Sequence, residues 1–135
     1  MTITRVFSEM TTNTAKIQCG TSLADVVAIL TKHQLNAAPV VNGNDQVIGL
    51  VAESDCMQAL ISGSYYCDKP ALVNDVMTKT AVVIDPQDSI IDVAIRMAAD
   101  KFSVYPVVDN DKLVGVLSRR NILRVLAQQL NQCGD

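Results

Sequence analysis

Two short runs carry the polar groups best suited to binding chemistry: Ala52-Glu53-Ser54-Asp55 and Ser118-Arg119-Arg120-Asn121. The first sets a hydroxyl beside a carboxylate. A carboxylate only accepts hydrogen bonds, and it can take two hydroxyl donors at once. The second run sets a hydroxyl beside two guanidinium groups and an amide. Guanidinium suits an anion, and the amide oxygen accepts without the help of a charge. Apolar residues at helical spacing follow each run, which predicts helices over 54–61 and 119–130. Free backbone N–H groups at a helix start also favour an anion, and two cations are poorly placed there without one. The same side chains can act in a plainer way. Ser54 with Asp55, and Ser118 with Asn121, can simply cap their helices, and the arginines and Glu53 can be solvated charges. Sequence leaves both readings open.

The residues needed for catalysis are sparse. There is one histidine, His33, near a predicted helix end, where a partial positive charge is favourable. Cys19, Cys56, Cys67 and Cys133 form no CxxC pair, and only His33 is available to join them. A zinc site needs paired ligands at short spacing, so these thiols read as space-filling. No glycine-rich phosphate loop appears. The chain is therefore expected to bind rather than catalyse, with no cofactor and no metal.

The elements that hold the two runs are written twice. Pro39 and Pro106 head two Pro-Val-Val runs 67 positions apart, and the same spacing relates Met10 to Met77, Ile17 to Ile84, Ser22 to Ser89 and Asp25 to Asp92. Gly49 and Gly115 are 66 apart, so the second hairpin turn is one residue shorter. The difference falls between NGNDQ and DNDK, turn-forming residues between two apolar runs. Residues 15–19 and 82–85 predict short strands. Leu23, Val26, Val27 and Leu30, and Ile90, Val93, Ala94 and Met97, each form one apolar helical stripe. Ser22 with Asp25, and Ser89 with Asp92, predict N-terminal caps. The order is β-α-β-β-α, twice: an α+β fold with one motif over 1–61, a linker over 62–72 and a second motif over 73–131. A unit of this size buries little surface alone, so the two are expected to pack about a pseudo-two-fold axis and share a core. Tyr65 and Tyr66 lie in the linker.

Composition bounds the setting. Of 135 residues, 49% are hydrophobic, which supports a packed interior. A net charge of −3 with scattered Lys and Arg is a poor match for nucleic acid. No apolar run is long enough to span a membrane, and the first residues lack the form of a signal peptide. A cytoplasmic location is expected.

The hairpin motif resembles that of cystathionine-β-synthase (CBS) domains, here as a tandem pair or Bateman module over essentially the whole chain. The residues are Pro39-Val40-Val41, Val47–Val51, Ala52 and Asp55, then Pro106-Val107-Val108, Leu113–Leu117, Ser118 and Asn121. The resemblance implies binding of an adenosine nucleotide such as AMP, ADP or ATP between the two motifs, as a regulatory ligand. One site would use Ser54 and Asp55 with Thr80, Val82, Phe102 and Ser103. The other would use Ser118, Arg119, Arg120 and Asn121 with Asn13, Ala15, Leu35 and Asn36. In the family an acid at the position of Asp55 accepts from ribose hydroxyls, and a hydroxyl residue with nearby cations faces the phosphates. This chain departs at both endings: Ala52 replaces the hydroxyl of the first, and Asn121 the acid of the second. The resemblance further implies a homodimer and a separate protein target. The alternative is an assembly or interaction module whose clefts are vestigial.

Overall fold

The computed structural model describes residues 4–62, 71–79, 82–100 and 102–133. Its elements run α1 (Val6–Glu9), β1 (Ile17–Gln18), α2 (Leu23–Lys32), β2 (Ala37–Val41), β3 (Val47–Ala52), α3 (Glu53–Ser62), α4 (Val73–Val76), α5 (Ile90–Ala98), β4 (Val104–Asp109), β5 (Lys112–Ser118) and α6 (Arg119–Cys133). The expected helices at 54–61 and 119–130 are present and slightly longer.

The chain divides into two compact units, and these do not coincide with the sequence repeats. The leading unit holds residues 15–81 with 111–113; the trailing unit holds 1–14, 82–110 and 114–135. Residues 4–14 thus belong with the second hairpin, and residues 71–79 with the first. The cause is a free sheet edge in each unit. An unpaired edge strand exposes a row of N–H and C=O groups, and covering it removes that liability. In the leading unit Thr78 covers the edge of β3, exchanging backbone hydrogen bonds with Leu50 at 3.0 and 2.9 Å. In the trailing unit Thr11 does the same for β5, exchanging bonds with Val116 at 2.8 and 2.9 Å.

Both hairpin glycines follow from these crossings. A Cβ at Gly49 would lie 2.8 Å from the Thr78 carbonyl oxygen and 2.7 Å from Met77 Sδ. A Cβ at Gly115 would lie 2.8 Å from the Thr11 carbonyl oxygen. Only a residue without a side chain lets the covering backbone approach so closely.

In the leading unit β1 pairs parallel to β2, and β2 pairs antiparallel to β3, with Val40 opposite both Ile17 and Gly49. The trailing unit repeats this with β4 and β5. Its expected strand at 82–85 is reduced to a single parallel bridge from Ile84 to Val107. The two turns differ as expected. Asn110 and Asp111 both take positive φ, 51° and 66°, as the tight two-residue turn requires. In the longer turn Asn42 Oδ1 accepts from the Asn44 and Gln46 N–H groups, and Asp45 takes the left-handed conformation.

Ser22 caps α2 as expected, its Oγ accepting from Asp25 N at 3.2 Å. The expected cap at Ser89 is not formed: its side chain makes no hydrogen bond to the first turn of α5, although Ser89 and Ser22 enter equivalent antiparallel bridges, with Arg5 and Leu72. The apolar residues gather into two cores rather than one shared core. Ile17, Val26, Leu30, Val40, Val51 and Cys56 centre the leading unit. Val6, Ile84, Ile90, Tyr105, Val107 and Leu117 centre the trailing unit.

Candidate functional site

Each strand-to-helix ending is held by the same backbone device. In the leading unit the Ala52 N–H donates to Asp55 Oδ2 at 2.9 Å, fixing the carboxylate in the first turn of α3. The Glu53 N–H donates to the Asn36 carbonyl at 2.8 Å, which ties the ending to the residue just before β2. Leu35 packs against the same core. Asp55 Oδ1 accepts no hydrogen bond among the described residues. One carboxylate oxygen is thus structural and the other is available, beside the exposed Ser54.

Behind Asp55 lies Cys56, buried in the core. Burial pushes its thiol pKa up, and the negative charges of Asp55 and Glu53 push it further. Such a thiol is a poor nucleophile at neutral pH, in keeping with a packing role.

In the trailing unit the Ser118 N–H donates to Asn121 Oδ1 at 2.9 Å, and Ser118 Oγ donates to the same oxygen at 2.8 Å. The Asn121 N–H lies 3.2 Å from Ser118 Oγ. The Arg119 N–H donates to the Ser103 carbonyl at 2.8 Å, the counterpart of the Glu53–Asn36 bond. Val82 and Phe102 pack on this unit's core. Asn121 is only 7% exposed and its carbonyl oxygen is occupied twice. No buried side-chain nitrogen or oxygen among the described residues lacks a partner, so its Nδ2 reaches solvent. The ending that differs by one atom type therefore presents a donor where the other presents an acceptor.

The two arginines separate. Arg119 lines a groove of about 260 Å³ between α5 and α6, with Ala94, Met97, Ile122, Leu123 and Leu126. Arg120, one position on and about 100° around the helix, does not line that groove and is exposed. Of the two expected phosphate cations, Arg120 is the one left free of the helical groove.

The hydrogen bonds thus join Asn36 to the Asp55 ending and Ser103 to the Asn121 ending, each within one unit. Asn13, exposed, belongs to the trailing unit, and Ala15, half-buried, to the leading unit. Thr80 lies outside the described residues, as do Lys101 and the linker tyrosines. Lys16, just before β1, is paired with Asp45 at 2.6 Å. The repeat related Met10 to Met77, but sequence reasoning assigned no role to the pairs Met10-Thr11 and Met77-Thr78, which lie against the hairpin glycines. Their recurrence at the repeat spacing was the available signal.

An α+β chain with two β-α-β-β-α units, each ending in a capped strand-to-helix turn, defines a tandem small-module protein. The CBS domain family matches residues 3–62 and 73–128, and the chain belongs to that family. The CBS-pair protein CBSX2 from Arabidopsis thaliana is similar over 96% of this chain and 99% of that structure, at 29% identity and TM-score 0.82. A structure of CBSX2 in complex with AMP is similar over 92% and 96%, at 30% identity and TM-score 0.79. The CBS domain pair of protein MJ0100, in complex with 5′-methylthioadenosine and S-adenosyl-L-methionine, shares the fold at TM-score 0.82 and 24% identity, over 95% and 99%. Among curated proteins, uncharacterized protein MJ1225 of Methanocaldococcus jannaschii is 31% identical over 101 residues, 75% of this chain and 35% of that protein. The chain spans about a third of that relative's length. No described helix is long and apolar enough to cross a membrane.

Proposed function

We propose that this chain is a non-catalytic regulatory module that binds an adenosine nucleotide and acts, as a homodimer in the cytoplasm, on a separate protein. The observation that carries the reading is Asp55. Its carboxylate is fixed at the start of a ten-residue helix by one oxygen, and the other is free for ribose hydroxyls. Ser54 stands beside it. The AMP complex of CBSX2, a relative at 30% identity, supports adenosine as the ligand class. At the other ending Ser118, Arg120 and Asn121 offer a hydroxyl, a cation and an amide donor, which suits phosphate better than a diol.

One observation favours the plainer reading for that second ending. The Asn121 oxygen is fully used in closing the first turn of α6, as a residue retained only as a helix cap would be. The Asp55 ending is therefore the primary site.

Titration calorimetry with adenosine, AMP, ADP, ATP, 5′-methylthioadenosine and S-adenosyl-L-methionine tests the proposal. Binding of at least one, with a rise in thermal midpoint, is expected. No heat and no shift across the panel would leave an assembly module with vestigial sites.

A further inference from the structure

The amide of Asn121 is fixed in orientation, and half of it is unused. The Ser118 N–H can only donate, so the atom 2.9 Å from it is the amide oxygen, and Ser118 Oγ donates to the same oxygen at 2.8 Å. Turning the amide over would set two N–H donors against each other. The residue is only 7% exposed, yet its Nδ2 makes no hydrogen bond among the described residues. It reaches solvent as an unfilled donor.

Capping does not account for that donor. In the leading unit a carboxylate closes the same turn, with Asp55 accepting from the Ala52 N–H at 2.9 Å, and a carboxylate suits a helix start better than a neutral amide. Asparagine keeps the capping oxygen and exchanges the second acceptor for a donor. The charges follow the same exchange. The first turn of α3 carries Glu53 and Asp55, whereas the first turn of α6 carries no acid. It carries Arg119 and Arg120, and Arg124 stands one turn beyond Arg120 on the same side of the helix. Arg120 and Arg124 are both exposed, and neither has an ion pair among the described residues. A ribose diol is neutral and can donate, which suits Asp55. An amide donor beside cations, at the start of a 15-residue helix, suits a charged group that only accepts, as a phosphate does.

We infer that the Asn121 ending selects adenosine nucleotides whose ribose carries a 2′- or 3′-phosphate, with Asn121 Nδ2 donating to a phosphate oxygen. This rests on the reading, proposed above, that the endings face the ribose of a nucleotide, and it adds that the two endings take different riboses. Asp55 holds a free diol, and Asp55 and Glu53 together repel a phosphate placed there. The groups that discriminate at the other ending, Ser118 to Asn121, all lie in the trailing unit.

Nitrogen-15 NMR titration of the full chain tests this at the Asn121 side-chain amide, whose signal is identified by its loss in Asn121→Asp. The probes are AMP, adenosine 2′,5′-bisphosphate, adenosine 3′,5′-bisphosphate and inorganic phosphate. One bisphosphate should move that signal at about tenfold lower concentration than AMP. Asn121→Asp keeps an oxygen for both Ser118 donors, and the Arg120 backbone amide then serves as the reporter. There the order should reverse, because a carboxylate repels phosphate and accepts from a diol. AMP acting at the same or lower concentration than both bisphosphates on the wild type would overturn the inference, as would an unreversed order in the variant. Inorganic phosphate acting as strongly as the bisphosphates would also overturn it and leave a simple anion site. Nucleotide binding felt around Asp55 with no response at Asn121 would remove this inference alone, whereas no response to any adenosine compound would remove the proposed function with it. Should Asn121→Asp fail to fold, the wild-type order decides.

Discussion

One atom separates the two endings. In Asp55 the oxygen not used by the Ala52 N–H is an acceptor with a full charge; in Asn121 its place is taken by an NH2 group. Two predictions follow at this scale. Asp55→Ala should weaken nucleotide binding by about 1.5–3 kcal/mol, the cost of losing a charge-assisted hydrogen bond. Calorimetry checks it, and unchanged affinity would remove Asp55 from the site. Asn121→Asp keeps an oxygen for the Ser118 N–H and Oγ and turns a second oxygen outward. It should tighten nucleotide binding at that ending. It should also raise stability by about 0.3–1 kcal/mol, because a carboxylate replaces a neutral amide at a helix start. A fall in thermal midpoint with no gain in affinity would show that the donor is needed where it stands. A third concerns Tyr105. Burial, and then its 2.8 Å hydrogen bond to Asp100, raise its pKa to about 12. The folded form keeps a proton that the unfolded chain gives up near pH 10. Its contribution to stability is therefore complete below pH 10 and is lost as pH rises towards 12. Urea titrations over that range should show a shallower decline for Tyr105→Phe than for the wild type. Parallel declines would mean that other groups set the alkaline limit.

At the scale of elements, the long periodic pieces could be read from sequence and the short bridging ones could not. The stripes Leu23-Val26-Leu30 and Ile90-Val93-Met97 fix α2 and α5 because each has a buried face at a period of 3.6. The hairpins follow from Pro-Val-Val and their turns. Helices α1 and α4 have four residues each, too few for a period to show. The exchange of leading segments was equally hidden: it is set by bridges at Thr11 and Thr78, and sequence order says nothing about which edge a segment covers. The site was half legible. Asp55 and Asn121 were placed by motif, but the division of labour between Arg119 and Arg120 depends on helical phase against α5. The glycines give this scale its prediction. Gly49→Ala and Gly115→Ala should each destabilise by about 1–3 kcal/mol, since a backbone carbonyl 2.8 Å away cannot step aside as a flexible side chain can. Differential scanning calorimetry reads the loss. Tolerance of alanine at both would mean that the covering segments are not held against the hairpins.

For the whole molecule the question is how a chain of net charge −3 attracts a phosphorylated ligand. Long-range attraction is unavailable, so discrimination among phosphates must come from a few local cations. Lys16 is committed to Asp45, and Arg119 lines the α5–α6 groove. Of the two arginines at this ending, Arg120 is the one outside that groove, exposed in the first turn of α6 beside Ser118. A cation there is destabilising to its own helix and is relieved by an anion, so an anion should be drawn to it. Ligands at this ending should rank adenosine weakest, with AMP, ADP and ATP tighter. The spread should narrow as salt rises, because exposed charges are screened over about 10 Å at 0.1 M. At the Asp55 ending, where no cation stands on the run itself, phosphate number should matter less. Arg120→Ala should flatten the ranking at the Asn121 ending and leave the Asp55 ending nearly unchanged, whereas Arg119→Ala, at the α5–α6 groove, should change the ranking less. Titrations of adenosine, AMP and ATP against the two variants at two salt concentrations measure all of this. Equal losses for adenosine and ATP on removing Arg120 would mean that its guanidinium supports the fold of the first turn and holds no phosphate.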